Sequence, residues 1–289
     1  MKHKLLTLII LWIMSVSLIA KDSPEASKAR IFFKNNDFEN AIEWFQKALE
    51  KDEENSDLYF MLGVSYTNEI GNVNFFTKGI YSSKAKSNLK LSIKKDPKNI
   101  EARYYLASYY FNAPAIGGGD KDEAWKQAEE IFKLSPVKGH EIKAQFYSQE
   151  KEYNKALTEY DKIIRSDSLN THVYYLKGIT YQQTKEFDKA YESFESALKI
   201  DPNSLESLYQ IGRNAVFSNK YLDRGIECLN IYLQNKPDTT LPQPDAAYWR
   251  LAMIYKIKGE KTLAKEAVSK AISINSENKD YKKMLDELK

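Results

Sequence analysis

An all-α fold of stacked helical hairpins is what this sequence predicts, and three observations predict it. A pattern of about 34 residues, complete over 171–204, recurs along nearly the whole chain. Small residues hold matched places in the two halves of each copy, and proline closes several of the copies. In the complete copy Tyr174, Gly178, Tyr181, Ala190, Phe194, Ala197 and Pro202 fall at the spacing of two antiparallel helices. Gly178 and Ala190 lack bulk, so two helix backbones can approach closely and be locked by the rings of Tyr181 and Phe194. Pro202 lacks an N–H and disfavours helix in the residue before it, which stops the second helix near Ile200. One hairpin cannot bury its apolar face alone, whereas stacked neighbours can.

Taken in order, the chain opens differently from the rest. Met1-Lys2-His3-Lys4 is a basic start, 5–14 is apolar apart from Thr7, and 15–20 supplies small residues before Lys21-Asp22. That order is expected of a secretory signal peptide over 1–20, cleaved after Ala20 or Ser17. An uncleaved anchor is the alternative, although the apolar stretch is shorter than the roughly 20 residues a spanning helix needs. No cysteine lies near the cleavage site to carry a lipid.

The repeats follow as one solenoid over 22–289. Ala29, Phe32, Ala41, Phe45 and Ala48 mark the first, near 22–55. Leu62, Gly63, Tyr66, Ala85, Leu89 and Pro97 mark the second, 56–99, which carries roughly ten extra residues relative to the usual period. Leu106, Ala107, Tyr110, Ala124 and Pro136 mark the third, 100–136, again with extra residues in its turn. The fourth, 137–170, keeps Ala144, Tyr147, Ala156 and Tyr160 but has Ser168 in place of the proline. After the complete fifth copy, Ile211, Gly212, Gly225 and Pro237 mark the sixth, 205–238. Leu251, Ala252, Tyr255, Ala264 and Ala271 mark the seventh, 245–278, and 279–289 reads as the polar capping helix that an exposed solenoid end needs.

This pattern resembles the tetratricopeptide repeat, a family of binding scaffolds. The resemblance covers nearly everything after about residue 22 and implies a right-handed α-solenoid of about seven helix-turn-helix units. The segment 113–124 is also similar to a Pro-x-x-Gly-Gly insertion of some secreted bacterial repeat proteins, among them accessory components of periplasmic solute transporters; a third glycine precedes the Asp here.

Composition narrows the chemistry. Loss of Lys2 and Lys4 with the leader lowers the formal net charge from +3 to +1, with both signs interspersed. Such a surface offers no broad basic field for nucleic acid or anionic lipid, and no membrane insertion of the mature chain is expected. The lysine-rich run 84–95 reads as a solvent face. His140 and His172 sit in different repeats without a Cys or Asp at metal-ligand spacing, so neither a metal nor a cofactor is expected. Cys228, the sole cysteine, reads as a small packing residue. Gly117-Gly118-Gly119 leads into a helix, but no Gly-Lys-Ser/Thr follows, and Asp120, Asp122 and Glu123 would repel a phosphate. Asp120 as a cap, with Glu123 completing a capping box, is the better reading. No catalytic constellation emerges, and the expectation is that the protein is not an enzyme.

The resemblance implies where a partner would lie. The fifth residue of each first helix points into the family's groove, and here those residues are Phe60, Tyr104, Glu141, Tyr175, Tyr209 and Trp249. Asn112, Gln145, Gln149, Gln182, Gln183 and Arg213 lie further along the same faces and could hydrogen-bond a peptide backbone. An aromatic stripe at helical spacing serves packing as readily as recognition, yet Tyr offers apolar area and a hydroxyl at low rotamer cost. Relatives that capture acidic chaperone C-termini place Lys, Asn and Arg at these sites; aromatics replace that Lys here. The extra stretches 68–83 and 112–120 interrupt the turns of consecutive repeats, and stacking should set them side by side at one edge. The reading is a protein-interaction scaffold of the periplasm or cell envelope binding a partner segment in its groove. The alternative is a ligand-binding accessory of a periplasmic transport system, whose groove and insertions enclose a small apolar molecule.

Overall fold

Short polar side chains start the first helix of nearly every hairpin in the computed structural model, which describes residues 22–235, 237 and 240–288. The expected signal segment lies outside the described residues. Ser23, Asn55, Asn99, Ser135, Asn170 and Ser204 each accept a hydrogen bond from the N–H three residues on, satisfying a donor that the helix itself leaves free. Among the described residues all regular structure is helical.

Two compact units result, and their boundary between Asp120 and Lys121 falls inside the repeat read as 100–136. In the first unit α1 (Pro24–Lys34) pairs with α2 (Phe38–Leu49), and α3 (Ser56–Glu69) with α4 (Phe75–Lys95). Then α5 (Ile100–Asn112) packs on α4, and a single 3-10 turn spans Ala115–Gly117. The second unit opens with α6 (Lys121–Leu134). Hairpins follow from α7 (Pro136–Gln149) with α8 (Tyr153–Ser166), α9 (Thr171–Gln183) with α10 (Phe187–Ile200), α11 (Leu205–Ser218) with α12 (Leu222–Gln234), and α13 (Pro244–Ile257) with α14 (Lys261–Ile274). The last helix, α15 (Lys279–Glu287), packs on α14, where a polar terminal helix was expected.

In two of the hairpins a glycine faces a large side chain. An added Cβ at Gly178 would lie 2.4 Å from Phe194 Cε1, and one at Gly212 would lie 2.3 Å from Leu229 Cγ. Both large partners are fully buried, so the glycines set the distance between α9 and α10 and between α11 and α12. In five hairpins the chain reverses through a left-handed residue, Asn36, Lys151, Lys185, Asn219 or Gly259, and the α11–α12 turn adds a second at Tyr221. Such a residue lets the last carbonyls of the first helix find donors, as when Glu186 N–H bonds Tyr181 O at 2.9 Å.

The insertion at 68–83 is not the long connection that the sequence reading anticipated. Helix α3 continues to Glu69 and α4 begins at Phe75, so most of the extra residues lengthen α4 to 21 residues. Asn74 caps the new start by accepting from Thr77 N–H at 3.1 Å. The insertion at 112–120 does form a loop. Gly118 is left-handed with φ 85°, and an added Cβ at Gly119 would lie 1.8 Å from Ala113 O, which explains the successive glycines.

Candidate functional site

In the second unit α9, α11 and α13 adjoin one another and present a continuous wall of first helices. Tyr175 of α9 is half-buried there, stacked on His172 with ring centroids 6.1 Å apart. Burial raises its phenol pKa, against a hydrogen bond with Gln210 that lowers it. Gln182 Nε2 donates to Asn214 Oδ1 at 3.4 Å, and Asn214 Nδ2 donates to Phe187 O at 3.0 Å. Arg213 Nη1 donates long bonds to Gln182 Oε1 (3.5 Å) and Gln210 Oε1 (3.4 Å). Its guanidinium carbon lies 5.0 Å from the centroid of Phe217, and that of Arg250 lies 5.7 Å from the same ring. Phe217 itself is 44% exposed. Burial and then the nearby charge of Arg250 push the pKa of Arg213 below its ordinary value.

Trp249 and Arg250 complete the wall. The Trp249 ring packs against Tyr281 at 5.4 Å, while its Nε1–H and the Nε–H of Arg250 are buried and find no acceptor among the described residues. Tyr209 does not belong to this surface. It is 6% exposed and packs against Tyr232 at 5.5 Å, because its position on α11 turns the ring into the core between α11 and α12. The wall thus brings Tyr175, Gln182, Arg213 and Trp249 together and adds Gln210, Phe217 and Arg250. A usable signal for these was the scarcity of acids on the three helices, where only Glu206 and Asp245 occur, both in first turns.

Phe60, Tyr104 and Asn112 lie in the first unit. Phe60 meets Tyr105 edge to face at 5.4 Å, Tyr104 is half-buried, and Asn112 donates back to Ser108 O of its own helix at 2.8 Å. The two insertions come together as expected. They line a cleft of about 650 Å³ with Ile70, Phe75, Phe76, Pro114 and Ile116 among its walls. Ser82 and Tyr109 hydroxyls bond at 2.7 Å, and Tyr109 also donates to Gly117 O, which ties the loop to α4. Phe75, Phe76 and Ile116 are 83%, 84% and 100% exposed, so the cleft is open rather than enclosing.

The glycine loop has no amide to offer an anion. The N–H groups of Gly117, Gly118, Gly119 and Asp120 go to Pro114 O, Ala115 O, Pro114 O and Tyr110 O. His140 has a structural partner that sequence reasoning missed. Its Nδ1–H donates to Glu159 Oε2 at 2.6 Å, and Lys162 Nζ donates to the other carboxylate oxygen at 2.6 Å. Burial disfavours ionised Glu159, but the bonds from Lys162 and His140 outweigh it and hold the pKa below the usual carboxylate value. Cys228 is fully buried, and burial pushes its thiol up to about 12. Among the described residues no three His, Cys, Asp or Glu side chains converge as for a metal, and no helix is long and apolar enough to cross a membrane.

Comparison with known proteins fits this geometry. Residues 29–68, 173–204 and 245–278 match tetratricopeptide-repeat family profiles. Among solved structures, the C-terminal part of a TPR repeat-containing protein from Cytophaga hutchinsonii is 19% identical, with TM-score 0.53 over 90% of this chain and 98% of that one. PilF of Pseudomonas aeruginosa is 16% identical, with TM-score 0.56 over 82% of this chain and 99% of its own. Human IFIT1, solved as a dimer with PPP-AAAA, is 18% identical, with TM-score 0.58 over 87% of this chain and 58% of that one. Identities of this size speak for the fold alone. No curated protein matches the sequence. The fold is the tetratricopeptide-repeat type of helical solenoid, and such repeats are in general protein-interaction scaffolds rather than catalysts.

Proposed function

We propose that the protein is a non-catalytic scaffold of the cell envelope that holds an extended partner segment against α9, α11 and α13. One observation carries the reading. Gln182, Gln210, Arg213, Trp249 and Arg250 form a contiguous polar set beside the exposed ring of Phe217. Side-chain amides and guanidinium groups on such a face can meet the carbonyls and N–H groups that an extended peptide presents at regular intervals. Aromatic area next to such donors gives a bound side chain somewhere to pack. Export is supported by the basic, apolar and small-residue order of 1–20.

Site-specific photo-cross-linking in intact cells tests both parts. A photoreactive residue at Phe217 or Gln183, on the wall, is expected to yield protein adducts in the envelope fraction. The same residue at Glu192 or Asn230, exposed on α10 and α12, is expected to yield few. Adducts arising equally from the second helices, or only in the cytosol, would refute the reading. A second reading, a ligand-binding accessory of a transport system, draws support from the apolar cleft between the insertions. Its openness argues against it, since small-molecule sites bury most of their ligand. Native mass spectrometry of protein taken from its source separates the two by the presence or absence of a retained small molecule.

A further inference from the structure

The first unit carries a surface of a different kind, and we propose that it docks the protein on an anionic lipid bilayer. Phe75, Phe76, Ile80 and Ile116 enter the boundary of the acyl chains, while lysines of α4 meet the negative headgroups. This contact goes beyond the wall on α9, α11 and α13 and does not rest on it. Phe75 and Phe76 open α4 with their rings edge to face at 5.9 Å, and Asn74 caps the helix just before them, so a helix start rather than loose chain holds the pair out. Ile116 lines the same cleft from the glycine loop, which Tyr109 ties to α4. All three side chains stand almost wholly in solvent, and Ile80 is exposed beside them. Apolar groups gathered outside the core mark a contact surface, since each would have stabilised the fold had it been buried.

Charge indicates what covers them. Helix α4 carries six lysines and no acid over its 21 residues. Among the other described α-helices only α9 lacks an acid, and it has one lysine. Lys78 and Lys86 stand in the cleft walls, where no acid does. Phe76, Ile80, Ser83, Ser87, Lys90 and Lys94 recur at the three- and four-residue spacing of one helix face and are all exposed, whereas Ala85, Leu89 and Ser92 are buried on the opposite side. The face is apolar at its start and basic at its end, about 27 Å on at 1.5 Å per residue. A bilayer surface offers both phases to such a stripe. The lysine-rich run expected to be a plain solvent face is thus the basic half of a contact, concealed in the net charge because the acids lie on other helices. A second copy of the chain would set these lysines against one another across a two-fold axis. A small ligand would be only partly covered by walls that stand in solvent, whereas a fluid bilayer closes around protruding side chains. No described helix is long and apolar enough to cross a membrane, so the contact is peripheral.

The test is co-sedimentation of residues 21–289, which hold every described helix, with vesicles of phosphatidylcholine alone or mixed equally with phosphatidylglycerol. Binding is expected on the mixed vesicles, at least tenfold weaker on the neutral ones, and weaker as salt rises. Phe75→Ser combined with Phe76→Ser, and separately Lys78→Glu with Lys94→Glu, should each weaken it at least tenfold. The same change of charge in α15, Lys282→Glu with Lys283→Glu, should leave it intact. A polarity-sensitive fluorophore on Ile116→Cys should shift to the blue with mixed vesicles and one on Asn230→Cys should not, the buried Cys228 taking no label. Should the ring substitutions lower the melting temperature, the lysine pair and the fluorophore decide the matter. Equal binding to both vesicles, an equal loss with the α15 pair, or an unshifted fluorophore at 116 would overturn the proposal. Self-association without lipid that the ring substitutions abolish would assign the face to a second copy instead. A photoreactive residue at Phe76 that yields protein adducts but no lipid ones in intact cells would assign it to a protein partner, and would overturn the proposal as well.

Discussion

Replacing Gly178 by alanine adds one methyl group, and the structure fixes what that methyl meets. Its Cβ would lie 2.4, 2.7 and 2.8 Å from three atoms of the Phe194 ring, which has no exposed surface into which to retreat. The ring also packs against Tyr175 at 6.2 Å, so it cannot swing aside without disturbing α9 again. Overpacking of a well-filled core costs about 1–3 kcal/mol, and a severe clash with a rigid ring belongs near the upper end. Against this stands the better helix propensity of alanine, about 1 kcal/mol. The expected net loss is about 2 kcal/mol, which corresponds to a melting temperature lower by roughly 4–8 °C for a unit of this size. Gly79 supplies the control. It lies in α4 with nothing within 4 Å of an added Cβ, so Gly79→Ala should gain about 0.5–1 kcal/mol from propensity alone. Far-ultraviolet circular dichroism during thermal denaturation reads both, and hydrogen exchange should show α10 opening more often in Gly178→Ala. Equal effects of the two substitutions, or a stabilised Gly178→Ala, would refute the claim that glycine is there to admit Phe194.

Further outcomes follow from single residues. Lys185 holds φ at 62°, a conformation that costs a side-chain-bearing residue about 1 kcal/mol, so Lys185→Gly should raise the melting temperature by a few degrees; a lower value would contradict the strain argument. Cys228, buried and with its thiol pushed up to about 12, should resist Ellman's reagent in the native protein and react fully only in denaturant. Burial and the charge of Asp245 push the Tyr281 phenol up to about 12 from an ordinary value of 10.0. The folded state therefore holds that proton more tightly, and the resulting stability is complete below pH 10 and lost as pH rises toward 12. Alkaline denaturation should be shallower in that window for Tyr281→Phe, while near neutral pH the same variant should be less stable by about 1–2 kcal/mol through the lost bond to Asp245.

Repetition made the fold legible. Gly178, Ala190, Phe194 and Ala197 act through neighbours within one hairpin, so their spacing alone announces two helices and the distance between them. The loop at 112–120 and the long α4 were less legible: the same extra length can be absorbed as coil or as added helical turns, and Asn74 with its bond to Thr77 N–H decided for helix after Glu69. Candidate site residues divided for a similar reason. Tyr175, Gln182, Arg213 and Trp249 were visible as positions on a face, but Tyr209 occupies an equivalent position and turns into the core against Tyr232.

By itself the sequence determined a chain of helical hairpins, their stops, and the glycines that let paired helices touch, because each of these depends on residues within about one repeat of each other. Only the tertiary structure decided that two arginines from neighbouring hairpins share one exposed ring, that His140 is spent on Glu159, and that the glycine loop has used its own amides. Those facts depend on which side chains meet across hairpins, and charge balance at a point is a property of that meeting rather than of any stretch of chain.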